Sequence, residues 1–324
     1  IFPKMIRAIY GELGQQKGAN GKISVIGGCL EYTGAPYYAA ASCLRSGADL
    51  AHLFCTSNAG IPIKCYSPEI IVHPVLKAAN ENPELSDQSL WPKAVEKISE
   101  EVSRWYPSMH TLIVGCGLGK DVFLADHLTP RLLTLGKEQG KIIVVDADGI
   151  TILCKNIDIL AGHQSAVITP NPNEFKRLWD AYINEPLPNQ EYRCLEREIT
   201  ELPANDPMVS STVRLARRLG NIIFQKGQID IITNGEKVVC VSTPGSRKRC
   251  GGQGDILAGI IATLSHNAVR NSLEMIDGVV AASMLMKRCA YVAFCKRGRS
   301  LTAPDIIKVL PEVVAEALSL DPSL

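Results

Sequence analysis

Arg249-Cys250-Gly251-Gly252-Gln253-Gly254-Asp255 sets three glycines within four positions directly ahead of an acid. Backbone N–H groups there can converge without side-chain obstruction. The apolar run that follows, 255–264, predicts a helix whose N-terminal dipole aims at the same point. Together they describe an anion hole suited to a phosphate in transfer. Asp255 stands where it could accept a proton from a substrate hydroxyl. Aspartate is also an ordinary helix N-cap, and spacing alone weighs the two roles evenly. Ser246, Arg247, Lys248 and Arg249 add donors and positive charge just upstream. A basic run is usually a solvated loop, but one abutting an anion hole favours polyphosphate.

A second group follows Thr169-Pro170. In Asn171-Pro172-Asn173-Glu174 the acid could order a hydrated Mg²⁺, which takes carboxylate, water and phosphate oxygens. The plainer reading is favoured: a helix start with Pro172 in its first turn and Glu174 facing the dipole. Lys226-Gly227 joins two strands, and Lys226 either reaches a nucleotide phosphate or is merely solvated. Asp146-Ala147-Asp148 ends a strand with two carboxylates, which either cap the next helix or shape a substrate site. Gly115-Cys116-Gly117-Leu118-Gly119 is neither a dinucleotide fingerprint, since Lys120 holds the last glycine position, nor a Walker A loop, since Val114 and Asp121 break it. It reads as a glycine turn at a strand end, where backbone approaches a ligand closely.

The elements that must hold these residues alternate. Strands are expected at Lys22–Ile26, Leu50–Cys55, Glu69–Val72, Thr111–Val114, Lys141–Val145, Ala166–Thr169 and Asn221–Gln225. Helices are expected over 36–46, 92–104, 128–138, 211–219, 272–294 and 304–318. Ile229–Thr233, Asn234-Gly235 and Lys237–Ser242 carry a hairpin signature, because Asn-Gly suits a type I′ turn. Short, nearly continuous apolar strands between helices mean an α/β fold: an open, mostly parallel sheet covered on both faces. In such a sheet the site lies along the C-terminal edge of the strands. The polar, Pro-rich stretch 181–210 exceeds a usual connection and reads as an insertion within a single domain spanning 1–324.

Composition bounds the rest. Among 324 residues, 34 Lys and Arg balance 33 Asp and Glu, which removes the electrostatic case for nucleic acid or an anionic membrane. The 11 cysteines include no C-x-x-C pair, so buried free thiols in a reducing compartment are expected rather than disulfides or zinc. No apolar stretch reads as long enough to span a bilayer. These features favour the cytoplasm. The chain opens on Ile1 rather than Met, which leaves a targeting peptide and a mitochondrial form open. The sequence is silent on oligomeric state and leaves a homo-oligomer open.

These pieces, in this order, resemble the ribokinase-like superfamily, whose N-x-x-E and terminal G-x-G-D hallmarks match Asn171 to Glu174 and Gly252 to Asp255. Within it the chain looks most like the ATP-dependent NAD(P)H-hydrate dehydratases. The supporting stretches are Thr33-Gly34-Ala35-Pro36 before a helix ending Arg45-Ser46-Gly47-Ala48, the Gly115 to Gly119 turn, Val145 to Asp148, Thr169 to Glu174, and Lys226-Gly227. Arg249 to Asp255 looks like the eukaryotic form of the family's glycine loop and favours ATP over ADP as donor. The likeness runs from Lys22 to Ala303-Pro304-Asp305. Many bacterial members have His where this chain has Asn171, and many carry a fused epimerase. Only about twenty residues precede the first strand, too few for another domain, so the resemblance implies a separate epimerase as functional partner.

The resemblance implies repair of hydrated NADH and NADPH: phosphorylation of the ring hydroxyl by ATP with Mg²⁺, then loss of phosphate. Asp255 would be the base. Gly117 and Asn171, Pro172, Asn173, Glu174, Phe175, Lys176 and Arg177 would face the hydrated dinucleotide, with Asp255. ATP would lie on Lys226, Gly227, Gln228, Ile229 and Asp230, and on Gly245, Ser246, Arg247, Lys248, Arg249, Cys250, Gly251, Gly252, Gln253 and Gly254. Glu174 would hold the metal through water. The alternatives are a kinase of the same fold acting on a vitamin precursor or sugar, and a nucleotide-binding regulator without catalysis, against which Asp255 and Glu174 count.

Overall fold

The computed structural model describes residues 1–183, 185–188, 198–200 and 202–319. Ten strands run in chain order as β1 Lys22–Ile26, β2 Leu50–Thr56, β3 Ile71–Leu76, β4 Thr111–Val114, β5 Ile142–Val145, β6 Ala166–Ile168, β7 Ile199–Thr200, β8 Ile222–Gln225, β9 Asp230–Thr233 and β10 Val238–Val241. They form one sheet in the order β3-β2-β1-β4-β5-β6-β8-β9-β10-β7. Pairing is parallel from β3 to β8 and antiparallel from β8 onward. Asn234-Gly235 closes the expected hairpin between β9 and β10, with Gly235 at φ 96°.

Among the described residues eleven α-helices accompany the strands: α1 Phe2–Tyr10, α2 Gly34–Arg45, α3 Ser57–Tyr66, α4 Trp91–Ser103, α5 Thr129–Glu138, α6 Asp148–Lys155, α7 Pro172–Tyr182, α8 Pro207–Leu219, α9 Gln253–Arg270, α10 Met275–Arg297 and α11 Ala303–Ser319. The central strands are buried on both faces, and alternate residues feed two cores. Ile23, Val25, Ile113 and Val144 pack with α1, α2, α9, α10 and α11. Ile26, Leu112, Val114, Ile143 and Val145 pack with α4 to α8. This is the open sheet covered on both faces that the alternation predicts.

The differences have physical causes. The edge strand β3 starts two residues later than expected and carries Pro74, which an edge position tolerates because one side of its backbone needs no partner. Helix α3 was not expected, since Gly60 and Pro62 suppress its propensity. Nor was α1, whose Phe2, Ile6 and Ile9 mark a buried face over only two turns. The reading that no stretch could span a bilayer is corrected: the Met275–Ser300 helical segment is long and apolar enough by length and composition. Its apolar residues are spent on the core, with 67% of the most apolar window buried. Of the stretch read as an insertion, residues 184, 189–197 and 201 lie outside the described residues, and Ile199–Thr200 pairs with β10 as the last strand.

Candidate active site

Parallel pairing brings the C-terminal ends of β4, β5, β6 and β8 to one edge of the sheet. The segments leaving them are the glycine turn after β4, Asp146 after β5, Thr169 to Asn171 after β6, and Lys226 after β8. The layers are tight: a Cβ on Gly115, at φ 122°, would lie 1.9 Å from the Asp146 carbonyl oxygen. Asp148 is not a spare carboxylate, because its Oδ2 accepts from the Gly119 N–H at 2.9 Å and fixes the end of the glycine turn.

At the centre stands Asp146, 2% exposed. Its Oδ1 accepts from Thr169 Oγ1 at 2.8 Å and from the Lys226 ammonium. Lys226 is therefore not a solvated turn lysine. Its backbone N–H is also tied to the Pro170 carbonyl at 2.9 Å. Burial works against the ammonium's charge, but Asp146, Glu174 and Asp255 outweigh it and raise the Lys226 pKa.

The head of α9 closes the site. Gly252 is the N-cap at φ 89°, and a Cβ there would lie 2.7 Å from the Tyr38 ring, so both conformation and space require glycine. The helix begins at Gln253, two residues before the expected start. Asp255 thus lies inside the first turn while Gly252 holds the N-cap position, which disposes of its reading as an ordinary N-cap. Cys116 Sγ and carboxylate oxygens of Asp146 and Asp255 lie within 4.8 Å of one another. A Cβ on Gly254 would stand 3.3 Å from both Asp146 Oδ2 and Lys226 Nζ, so the glycine loop faces that pair directly. Burial, and then the Asp146 charge, push the Asp255 carboxyl up to about 6. A carboxylate of that basicity suits proton abstraction near neutral pH.

Asn171 to Glu174 form a capping box. Asn171 Oδ1 accepts from the N–H groups of Asn173 and Glu174 at 3.0 Å, and Glu174 Oε2 accepts from the Asn171 N–H at 2.8 Å. The favoured plain reading of this motif is what the fold builds. Glu174 is nevertheless buried beside Lys226, its pKa raised by burial, and its second oxygen has no hydrogen-bond partner among the described residues. The rest of the stretch divides. Arg177 Nη1 donates to Thr151 Oγ1 at 3.0 Å on the α6 side, where its charge also acts on Glu174 and Asp148. The Phe175 side chain is fully buried in the core, and Lys176 pairs outward with Asp180 at 2.5 Å, so neither side chain faces the site. Gly117 lies under Tyr32, whose Cβ would be 2.9 Å from a Cβ on the glycine.

The Lys226 to Asp230 turn is organised from within. Asp230 Oδ1 accepts from the Gly227 N–H at 2.8 Å and Oδ2 from Ser283 Oγ at 2.7 Å. Lys287 Nζ donates to the Gln228 carbonyl at 2.8 Å and stands 3.5 Å from Asp230 Oδ2. The Ile229 side chain packs against Met208 and Ile231, leaving backbone to face a ligand. Gly245 lies over Lys287. Ser246 Oγ bonds both to the Lys248 N–H and to its carbonyl, at 3.0 and 2.8 Å, while Lys248 Nζ reaches the Arg299 carbonyl at 2.5 Å. Gln253 Nε2 bonds back to the Lys248 carbonyl at 3.3 Å and to Cys250 Sγ at 3.4 Å. Arg247 and Arg249 remain exposed. Cys116, Tyr38 and Lys287 enter the site without having been assigned to it from sequence, and Asp146, left open there between a helix cap and the substrate site, stands in the site. An acid ending a central strand was a usable signal for Asp146. None existed for Lys287, which only the packing of α10 brings there.

Residues 23–312 match the family described as NAD(P)H-hydrate dehydratase. An ATP-dependent (S)-NAD(P)H-hydrate dehydratase from Rattus norvegicus is 40% identical over 301 residues, covering 90% of this chain and 78% of the relative. Among solved structures, a ribokinase-like superfamily protein from Enterococcus faecalis superposes with a TM-score of 0.72 at 18% identity, covering 98% of this chain and 95% of its own. An ADP/ATP-dependent NAD(P)H-hydrate dehydratase from Bacillus subtilis, co-crystallised with ATP/Mg²⁺, superposes with a TM-score of 0.66 at 18% identity, covering 97% of each chain. With its glycine loop, buried acid and lysine gathered at one sheet edge of a ribokinase-like fold, the chain belongs to the NAD(P)H-hydrate dehydratase family.

Proposed function

We propose that the chain performs ATP-dependent dehydration of the S form of hydrated NADH and NADPH, restoring the reduced cofactor. The observation that carries the reading is Asp255, a carboxylate of raised basicity in the first turn of α9, directly after the glycine loop that faces the Asp146–Lys226 pair. Asp255 takes the proton of the ring hydroxyl as that oxygen attacks the γ-phosphorus of ATP. The bond from that phosphorus to the bridging oxygen breaks, and ADP leaves. Amides of the Gly252 to Asp255 segment hold the phosphoryl oxygens. Departure of phosphate with its C–O pair, and of a proton from the neighbouring carbon, then forms the ring double bond. Lys226 keeps positive charge beside the transferring group. Lys287 fixes the turn whose backbone would carry ATP.

The donor set also fits Mg²⁺. The free oxygen of Glu174 is a hard ligand, and the Cys116 thiol is held well above its ordinary pKa by burial and stays protonated, so it offers no soft one. Bound there through water, the ion would neutralise polyphosphate charge. The S specificity in the relatives' name leaves the other epimer to an epimerase activity. Ten free cysteines among the described residues support the cytoplasm as working compartment.

The test mixes the purified protein with Mg²⁺, ATP and hydrated NADH and follows reduced-nicotinamide absorbance alongside free phosphate. Recovery of NADH with equal phosphate release is expected. A stable phosphoester in place of free phosphate would instead make the protein a kinase of the same fold.

A further inference from the structure

We infer that Cys116 is a positioning residue for Asp255: from the turn after β4 its thiol donates to the Asp255 carboxylate and steadies it toward the substrate. The inference rests on Asp255 acting as base. Cys116 is fully buried, and its backbone is held closely against the turn that leaves β1. A Cβ on Gly27 would lie 2.1 Å from the Cys116 carbonyl oxygen, and the Gly117 carbonyl accepts from the Gly28 N–H at 3.0 Å. The sulfur lies within 4.8 Å of a carboxylate oxygen of Asp255 and of one of Asp146, and burial keeps its proton on, so it faces them with a proton to give.

The charged and titratable groups facing Asp255 come from four directions. Asp146 after β5 opposes its ionisation. Lys226 after β8 favours it but is already engaged with Asp146. Tyr38 of α2 stands beside it, and Glu174 of α7 acts on it through Lys226. Burial and Asp146 raise the carboxyl; the thiol pulls the other way by donating to the charged form. A base at this depth needs a donor that is not itself an acid at neutral pH. A buried thiol meets that need, since burial holds its own proton on.

The experiment compares the pH dependence of kcat/KM for wild type, Cys116→Ala and Cys116→Ser, with Asp255→Asn alongside and thermal melts to confirm folding. The acid limb of Cys116→Ala is expected to move up by about half a pH unit or more, the worth of one modest hydrogen bond to the charged form. Cys116→Ser, which keeps a donor, is expected to restore the wild-type limb. If Cys116→Ala lacks a cooperative melt, Cys116→Val, of similar volume and without a donor, replaces it. An unmoved limb, or the same shift in the serine variant, would overturn the inference while an inactive Asp255→Asn left the base intact. Turnover in Asp255→Asn would remove the base and the inference with it.

Discussion

The Lys226 ammonium and the Asp146 carboxylate are bonded to each other at the sheet edge where β8 and β5 end, with side chains 19% and 3% exposed. Burying two charges is costly, so the pair persists because Thr169 and the neighbouring carboxylates complete its surroundings. Removing one partner strands the other. Lys226→Met is expected to destabilise the protein by about 3 kcal/mol, and the Lys226→Met, Asp146→Asn double variant to regain most of it. Urea unfolding of Lys226→Met, Asp146→Asn and the double variant measures this. Additive losses would show that the two side chains do not act as a pair.

Asp255 trades stability for basicity. Its folded pKa, about 6, lies above the ordinary 3.8, so folding favours the protonated form. The resulting penalty is absent below about pH 4, grows as pH rises through 6 and is complete above it. Asp255→Asn is therefore expected to be more stable than wild type at pH 7.5, by on the order of 2 kcal/mol, and equal to it near pH 4. Melting temperatures at the two pH values check this; a lower melting temperature at pH 7.5 would contradict it.

Gly254 lies inside α9, where alanine is the better helix former by about 1 kcal/mol. A Cβ there would stand 3.3 Å from both members of the buried pair. Gly254→Ala should keep or raise the melting temperature while lowering kcat by about a hundredfold, because the added methyl stands between the loop amides and the phosphoryl group they hold. Steady-state kinetics with a parallel melt separates the two effects. Wild-type kcat would mean that the phosphoryl group does not pass this point.

The imidazoles of His52 and His73 are stacked and share a 3.0 Å Nδ1···Nε2 contact. Burial, then the His73 charge, bring His52 down to about 4, and His73 is also lowered by burial. Both folded values lie below the free value of 6.5, so the fold prefers neutral rings. Their stabilisation is full above pH 6.5 and is lost as pH falls toward 4. The pair's share of the pH slope should be about 3 °C or more of melting temperature lost between pH 7 and pH 5, opposite in sign to the share of Asp255. His52→Phe with His73→Phe should remove that share. An unchanged slope would exclude the pair.

Much of this was legible in the sequence because the central strands are apolar on both faces, so their runs needed no knowledge of neighbours. The glycine spacing before Asp255 and the strand ends at Val114, Val145 and Ile168 placed the site at one sheet edge. What escaped depended on tertiary contact. Phe175 and Ile229 belong to motif stretches, yet their side chains point into cores. Lys287 gains its role only where α10 crosses the Gly227–Asp230 turn. Helix α3 forms despite Gly60 and Pro62 because Ala59 and Ile63 bury one face.

The proposed reaction turns on Asp255 taking the hydroxyl proton. The direct measurement is ATP-dependent recovery of NADH from its S hydrate by Asp255→Asn, with ATP affinity measured on the same preparation. The prediction is turnover reduced at least about a thousandfold with ATP affinity within a few-fold of wild type. Turnover near the wild-type rate would contradict it and move the base to another residue.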